Sequence, residues 1–217
     1  MLELLSETNA PIRRILCLGA HCDDIEIGCG GTVLKLLEAR DDVRVDWIVF
    51  TSDEERASEA RAGATAILGR AAESSVVVRE FRQRFFPYVG AEIKEYFDEL
   101  GASIQPDVIF THYSRDLHQD HRVLADLTYN TWRDRLVLEY EIPKWDGDLG
   151  RPNVYVRLEA TQVHRKVEAI WETFASQRDK HWFTKETFLA LMRLRGVECK
   201  APSGYAEAFH CRKLVLA

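Results

Sequence analysis

Short apolar runs alternate with helical patterns from Arg13 to Trp132, and this alternation constrains the fold more than any other feature. RRILCLGA (13–20) reads as a fully buried strand, RVDWIVFT (44–51) as a second, SVVVREF (75–81) as a third, and VIFTH after Pro106 and Asp107 as a fourth. Between them lie TVLKLLEAR, opened by the glycines at 28, 30 and 31, then EERASEARAGATAILG behind the caps Ser52 and Asp53, and VGAEIKEYFDEL (89–100). A further helix is expected from about His118 to Trp132. Such βαβα order predicts an α/β fold of Rossmann-like type, a mostly parallel sheet flanked by helices on both faces.

The remainder is less regular. Residues 133–162 hold one or two short strands around a Gly/Pro/Asp-rich loop, 163–177 and 184–195 read as helices, and AEAFHCRKLVL as a closing strand. No repeat or linker divides the chain. A single domain over 1–217 is expected, with 1–12 as a leading arm and 133–217 as a C-terminal part that helps shape the substrate pocket.

Composition narrows the function classes. With 46% hydrophobic and 29% charged residues, the 217-residue chain has the make-up of a folded globular protein, and its net charge of −6 argues against a nucleic-acid partner. The one local basic patch is Arg79, Arg82 and Arg84. No apolar stretch is long enough for a membrane span, and the N-terminus lacks a signal-peptide core. Five scattered cysteines do not make a disulfide framework, so a cytoplasmic location is expected.

Two acid–histidine clusters stand just beyond strand ends: AHCDDIEIGCGGT (20–32) and THYSRDLHQDH (111–121). Parallel strands bring such ends to one edge of a sheet, where open α/β proteins bind ligands. His21, Asp24 and His121 supply the three N/O donors that a catalytic zinc takes, leaving one position for water. Asp23 is then free to act as a base, and His118 as an acid or oxyanion partner. The plainer reading of each cluster is a helix cap or a solvated helix start. A dinucleotide site is not expected: position 33 is Val where a third glycine is needed, and the acids repel a pyrophosphate.

These motifs resemble a known family. AHCDDIEIGCGGT is similar to the AHPDDxExGxGGT motif of the PIG-L/LmbE-like zinc-dependent N-acetylglucosaminyl deacetylases, and LHQDHR to their HPDHR motif. ERASEARAGATAILG and YAEAF extend the likeness. The resemblance implies an N-deacetylase acting on a small-molecule N-acetyl sugar or its conjugate. His21, Asp24 and His121 then hold zinc, Asp23 is the general base, and His118 stabilises the tetrahedral intermediate or protonates the leaving amine. Asp120 orients a neighbouring histidine, and Arg56 contacts substrate; the plainer reading of Arg56 is a pair with Glu55 or Glu59 on its helix. Iron can stand in for zinc, since N/O donors discriminate weakly between them. The family's frequent multimers leave room for a homo-oligomer.

Both prolines of the family motifs are replaced, by Cys22 and Gln119, and REFRQRFFPY departs from the segment common in some relatives. Cys22 reads as a small buried side chain. Two other functions stay open: hydrolysis of another small amide or carbamoyl group, and a non-catalytic, metal-containing sugar-binding module. Glu139 and Glu141 are candidates to line the pocket. His112 reads as a supporting or core residue, and Trp145 as structural, though its loop suits a sugar ring.

Overall fold

The computed structural model describes residues 12–215; the leading arm, apart from Ile12, lies outside them. Seven strands form one sheet: β1 (Arg14–Gly19), β2 (Arg44–Val49), β3 (Glu73–Val78), β4 (Val108–His112), β5 (Leu136–Tyr140), β6 (Val154–Leu158) and β7 (Tyr205–His210). Six α-helices accompany it: α1 (Asp24–Ala39), α2 (Glu54–Leu68), α3 (Gly90–Ser103), α4 (Gln119–Thr131), α5 (Ala160–Thr173) and α6 (Lys185–Glu198). The strand order is β3-β2-β1-β4-β5-β7-β6. The first five are parallel neighbours, while β7 runs antiparallel to both β5 and β6.

Side-chain alternation splits the core between the two faces. Ile15 and Cys17 of β1, Trp47 of β2 and Phe110 of β4 pack with helices α1, α2, α5 and α6, through residues such as Leu34, Ala64, Val167 and Phe188. Leu16 and Leu18, Ile48 and Ile109 point the other way, against Phe97 of α3 and Leu124 of α4. Helices therefore cover both faces, and the continuous apolar runs in the sequence reflect strands buried on two sides.

The order reverses between β1 and β4: the chain moves from β1 outward to β2 and β3, then returns to start again at β4. The crevice beyond the carboxyl ends of these two strands is the topological switch point, where α/β sheets place ligands. Both acid–histidine segments leave the sheet there. Among the described residues no helix is long and apolar enough to cross a membrane.

The glycines at 28, 30 and 31 do not open their helix, as the sequence suggested. Helix α1 begins at Asp24, and the glycines lie inside it. They serve close packing: a Cβ on Gly28 would enter the Tyr140 ring, and one on Gly31 would stand 2.6 Å from Leu158 Cδ1. At this point Lys166 Nζ donates to Ile27 O (2.6 Å), while the Glu207 carboxylate accepts from Gly31 N (2.8 Å) and Thr32 N (2.6 Å). Lys166 and Glu207 are themselves paired at 2.6 Å, both buried. The pair thus addresses the Ile27 carbonyl and the Gly31 amide, which an uninterrupted helix would join to each other.

Candidate metal centre

Each half of the centre is fixed by its own turn. After β1, the chain turns through Ala20–Asp23, and Asp24 Oδ2 accepts the His21 N–H at 2.6 Å, closing the turn from the helix side. After β4, Asp116 Oδ1 accepts the His118 N–H (2.7 Å), and His118 caps α4 by accepting the Asp120 N–H on Nδ1 (3.2 Å). The helix-start reading is thus correct for His118. It fails for Asp23, which occupies the cap position of α1 but makes no side-chain capping bond.

Three donor atoms from the two turns converge. His21 Nδ1 lies 3.1 Å from His121 Nε2 and 3.3 Å from Asp24 Oδ2, and His121 Nε2 lies 3.6 Å from Asp24 Oδ2. Tetrahedral bonds of about 2.0–2.1 Å to zinc set ligand atoms roughly 3.3–3.4 Å apart, so the spacing fits a metal. The far nitrogen of each imidazole faces a carboxylate: His121 Nδ1 is 2.9 Å from Asp116 Oδ2, and His21 Nε2 is 3.4 Å from Asp120 Oδ2. Carboxylate–imidazole pairs of this kind orient metal-binding histidines.

The electrostatics favour a cation at the convergence point. Burial works against charge on His21, yet Asp24, Asp120 and Asp23 together lift its pKa to about 9. Burial, with His112, presses His121 down to about 3. One positive charge is therefore favoured between donors that otherwise carry lone pairs and negative charge. Asp24 is also buried, but His121, His112 and His21 hold it well below the usual carboxylate range.

The other expected residues stand around these three. The buried Asp23 carboxyl lies 3.6 Å from Arg56 Nη2, and burial followed by the Asp24 charge pushes its pKa up. Arg56 turns inward with its Nε unpartnered, while Glu59 is engaged by Ser176, so the helix-surface pairing with Glu59 does not form. The His118 ring stands 4.7 Å from that of His21 and 4.6 Å from that of His121. Burial and then the His21 charge lower its pKa. With Nδ1 accepting from a backbone amide, neutral His118 carries its proton on Nε2. Asp120 also accepts from Arg84 N (2.6 Å) and Phe86 N (3.2 Å), tying the basic segment to the centre.

Two carboxylates expected to line the pocket are engaged elsewhere. Glu139 accepts from Ser114 and Arg212, and Glu141 pairs with Arg195 at 2.6 Å, so both carboxylates are committed to structure. Glu26 leaves the centre: its carboxyl lies against Gly63 of α2, and burial raises its pKa far above the ordinary value. Cys22 is buried, as expected, and burial pushes its thiol pKa up.

His112 is nearer the centre than a core residue needs to be. Its Nε2 lies 3.2 Å from Asp24 Oδ2 and its ring stacks on His121 at 3.8 Å; Asp24, His112 and His121 form one group placed to hold a metal, and His21, His118 and His121 form another. That same nitrogen also faces the Ala20 N–H (2.9 Å) and the Tyr140 hydroxyl (3.2 Å). The competing contacts leave it less free than His21 Nδ1 to bind an ion. Asp116 and Lys144 were not anticipated. Asp116 stands within the histidine-rich segment, five residues before His121, which was a usable signal. Lys144, whose Nζ meets Asp116 Oδ2 at 3.0 Å and Asp148 Oδ2 at 2.6 Å, had none.

Solved structures share the architecture. The chain is similar to the N,N'-diacetylchitobiose deacetylase of Pyrococcus horikoshii (19% identity, 93% of this chain and 84% of that one, TM-score 0.68). It is also similar to GalB, the 4-carboxy-2-hydroxymuconate hydratase of Pseudomonas putida KT2440 (17%, 95% and 98%, 0.74), and to the zinc-inhibited form of teicoplanin deacetylase Orf2 (14%, 91% and 97%, 0.71). At these identities the likeness establishes the fold, and this fold carries both deacetylases and a hydratase. The model of the PIG-L family, described as GlcNAc-PI de-N-acetylase, matches residues 16–132, a span that contains both acid–histidine turns and every donor atom they bring together. That match extends over more than half of the 217 residues, and the chain belongs to the PIG-L family.

Proposed function

We propose that the protein is a metal-dependent N-deacetylase that releases acetate from an N-acetylated amino sugar or its conjugate. The observation that carries this reading is the convergence of His21 Nδ1, Asp24 Oδ2 and His121 Nε2 within 3.6 Å, beside an Asp23 carboxyl with no capping role. His21, Asp24 and His121 hold the ion, which is zinc, with iron as its substitute. When bound, such an ion supplies Lewis acidity, acidifying water and polarising a carbonyl.

The chain's own residues do the rest. Asp23, held by Arg56, takes a proton from the attacking water, and its raised pKa suits it to give that proton back. The water oxygen bonds to the acetamide carbon, and the carbonyl oxygen gathers negative charge. His118 meets that charge with its Nε2 proton; one such donor is worth about 2.7–4 kcal/mol in other hydrolases. The C–N bond then breaks as Asp23 delivers its proton to nitrogen, giving acetate and a free amine. Asp120 orients His21, and Arg56 both steadies Asp23 and offers its free Nε–H to substrate.

The test is acetate release across N-acetylated glycosides, nucleotide sugars and sugar–thiol precursors, with other small amides alongside, before and after chelation. Chelator-sensitive acetate release is expected. Turnover confined to other amides or carbamoyl groups moves the reaction to a different bond, and binding of an N-acetyl sugar without turnover leaves a sugar-binding module. His121→Ala is expected to lower metal content by elemental analysis; unchanged stoichiometry removes His121 from the ligand set.

A further inference from the structure

We infer that the backbone from Arg84 to Phe86 forms a carboxylate-binding nest that fixes Asp120, and through Asp120 the angle at which the His21 imidazole meets the ion. Arg84 and Gln119 are then positioning residues of the centre. This rests on the metal-centre reading and deepens it by naming what holds one of its donors.

The nest lies in REFRQRFFPY, between β3 and α3. Phe85 N–H donates to Arg82 O at 3.2 Å and closes a tight turn, with Arg84 third of its four residues. Arg84 has φ 65°, the left-handed region that glycine or asparagine usually fills at that place. Phe85 follows with φ −125° and ψ 9°, on the right-handed side. Successive residues of opposite hand turn their amides into one concavity, which suits an anion. Here Arg84 N–H donates to Asp120 Oδ2 (2.6 Å) and Phe86 N–H to Asp120 Oδ1 (3.2 Å). Each carboxylate oxygen has its own donor, so the plane of the group is fixed as well as its place.

The surroundings keep the strained residue where it is. Phe86 is fully buried, its ring centroid 6.5 Å from that of Phe50 and 6.4 Å from that of Phe81. The Gln119 side chain donates to Arg84 O, so Arg84 is bonded through both its N–H and its C=O to adjacent residues of α4. A proline at position 119 has no side-chain donor for this bond. Unfavourable backbone conformations persist where neighbours over-determine them, and they concentrate at functional sites. The Arg84 side chain is exposed; its peptide groups are what reach the centre.

The far side of Asp120 meets His21. Oδ2, which takes the Arg84 amide, stands 3.4 Å from His21 Nε2, a nitrogen that makes no hydrogen bond. A contact of that length weakens or tightens with small shifts of the carboxylate. The ring it steadies turns Nδ1 toward Asp24 and His121. His121 is steadied by Asp116, which Lys144 holds; for His21 the corresponding support is two backbone amides.

The experiment measures zinc affinity of the full chain by competition with a chelator of known strength, with Tm recorded for each variant. Arg84→Pro removes the amide and cannot adopt a positive φ, and is expected to weaken zinc binding about 10–100-fold. Arg84→Gly adopts that φ freely and is expected to restore most of the affinity, which assigns the effect to the backbone. In an Asp120→Ala background, Arg84→Pro is expected to cost no further affinity, because the nest acts through that carboxylate. The visible spectrum of the cobalt-substituted protein is expected to change in Arg84→Pro and to return in Arg84→Gly. A drop in Tm with zinc affinity and cobalt spectrum at wild-type values overturns the inference, and so does an equal loss with Asp120 absent. Should Arg84→Pro fail to fold, Gln119→Ala decides: a fall of a few-fold that vanishes in the Asp120→Ala background sustains the nest, and unchanged affinity overturns it. A wild type that binds zinc but releases no acetate ends the deacetylase reading alone, and one that binds no zinc overturns both.

Discussion

The parallel half of the sheet and its antiparallel extension divide the work unequally. Strands β1 to β5 and the turns after β1 and β4 carry all the donor atoms that converge, together with Asp23, Asp116, His118 and Asp120. Among the described residues, the chain from Glu141 onward supplies no donor. Yet β7 and α5 hold α1 through Glu207 and Lys166, and the loop before β6 braces His121 through Lys144 and Asp116. Chemistry is concentrated in local turns, while the geometry that chemistry needs is held by residues far away in sequence.

This contrast can be broken first at the proposed general base. Asp23→Asn is expected to cut acetate release by about 10²–10⁴-fold while metal content stays at the wild-type level. Full turnover with metal bound removes Asp23 from the mechanism. The brace comes next. Glu207→Ala strands a buried Lys166 and two α1 amides, and is expected to cost about 3 kcal/mol in denaturant-induced unfolding. A variant as stable as wild type shows that α1 stands without the extension.

Asp116→Asn probes the join between the halves, because Asp116 touches both His121 and Lys144. Metal affinity, read by competition with a chelator of known strength, is expected to fall about 10–100-fold with the fold intact. The smallest effect concerns the extension alone. His210 is pressed down to about 4 by burial, then by Arg195 and Arg115. An unfolded histidine titrates near 6.5, so between about pH 6.5 and 4 the unfolded chain takes up a proton that the folded chain does not. Stability should therefore decline as pH falls through that window. His210→Gln is expected to flatten the slope of Tm against pH; an unaltered slope assigns it to other groups.

The same division decided what was legible in the sequence. The strands and the convergence of His21, Asp24 and His121 could be read because apolar runs and motif spacing are local signals, and parallel topology brings strand ends together. Asp120 and His118, from the same motif, stand beside that convergence. The glycines misled because a glycine run near a strand end reads as a turn; its actual cause, the Tyr140 ring and the Leu158 side chain, lies more than a hundred residues on. Glu139 and Glu141 seemed free for the same reason. Their partners Ser114, Arg212 and Arg195 come from other elements, and no local pattern announces a long-range ion pair.

The Lys166–Glu207 insertion into α1 limits how the centre could be moved to another scaffold. A graft of the two histidine turns onto a foreign parallel sheet would bring the donors but leave the Gly31 and Thr32 amides and the Ile27 carbonyl without their outside partners. The start of that helix sets where Asp23 and Asp24 point. The smallest portable unit is therefore the two turns together with a lysine and a glutamate from the last third of the chain, a set that a contiguous stretch of sequence cannot deliver.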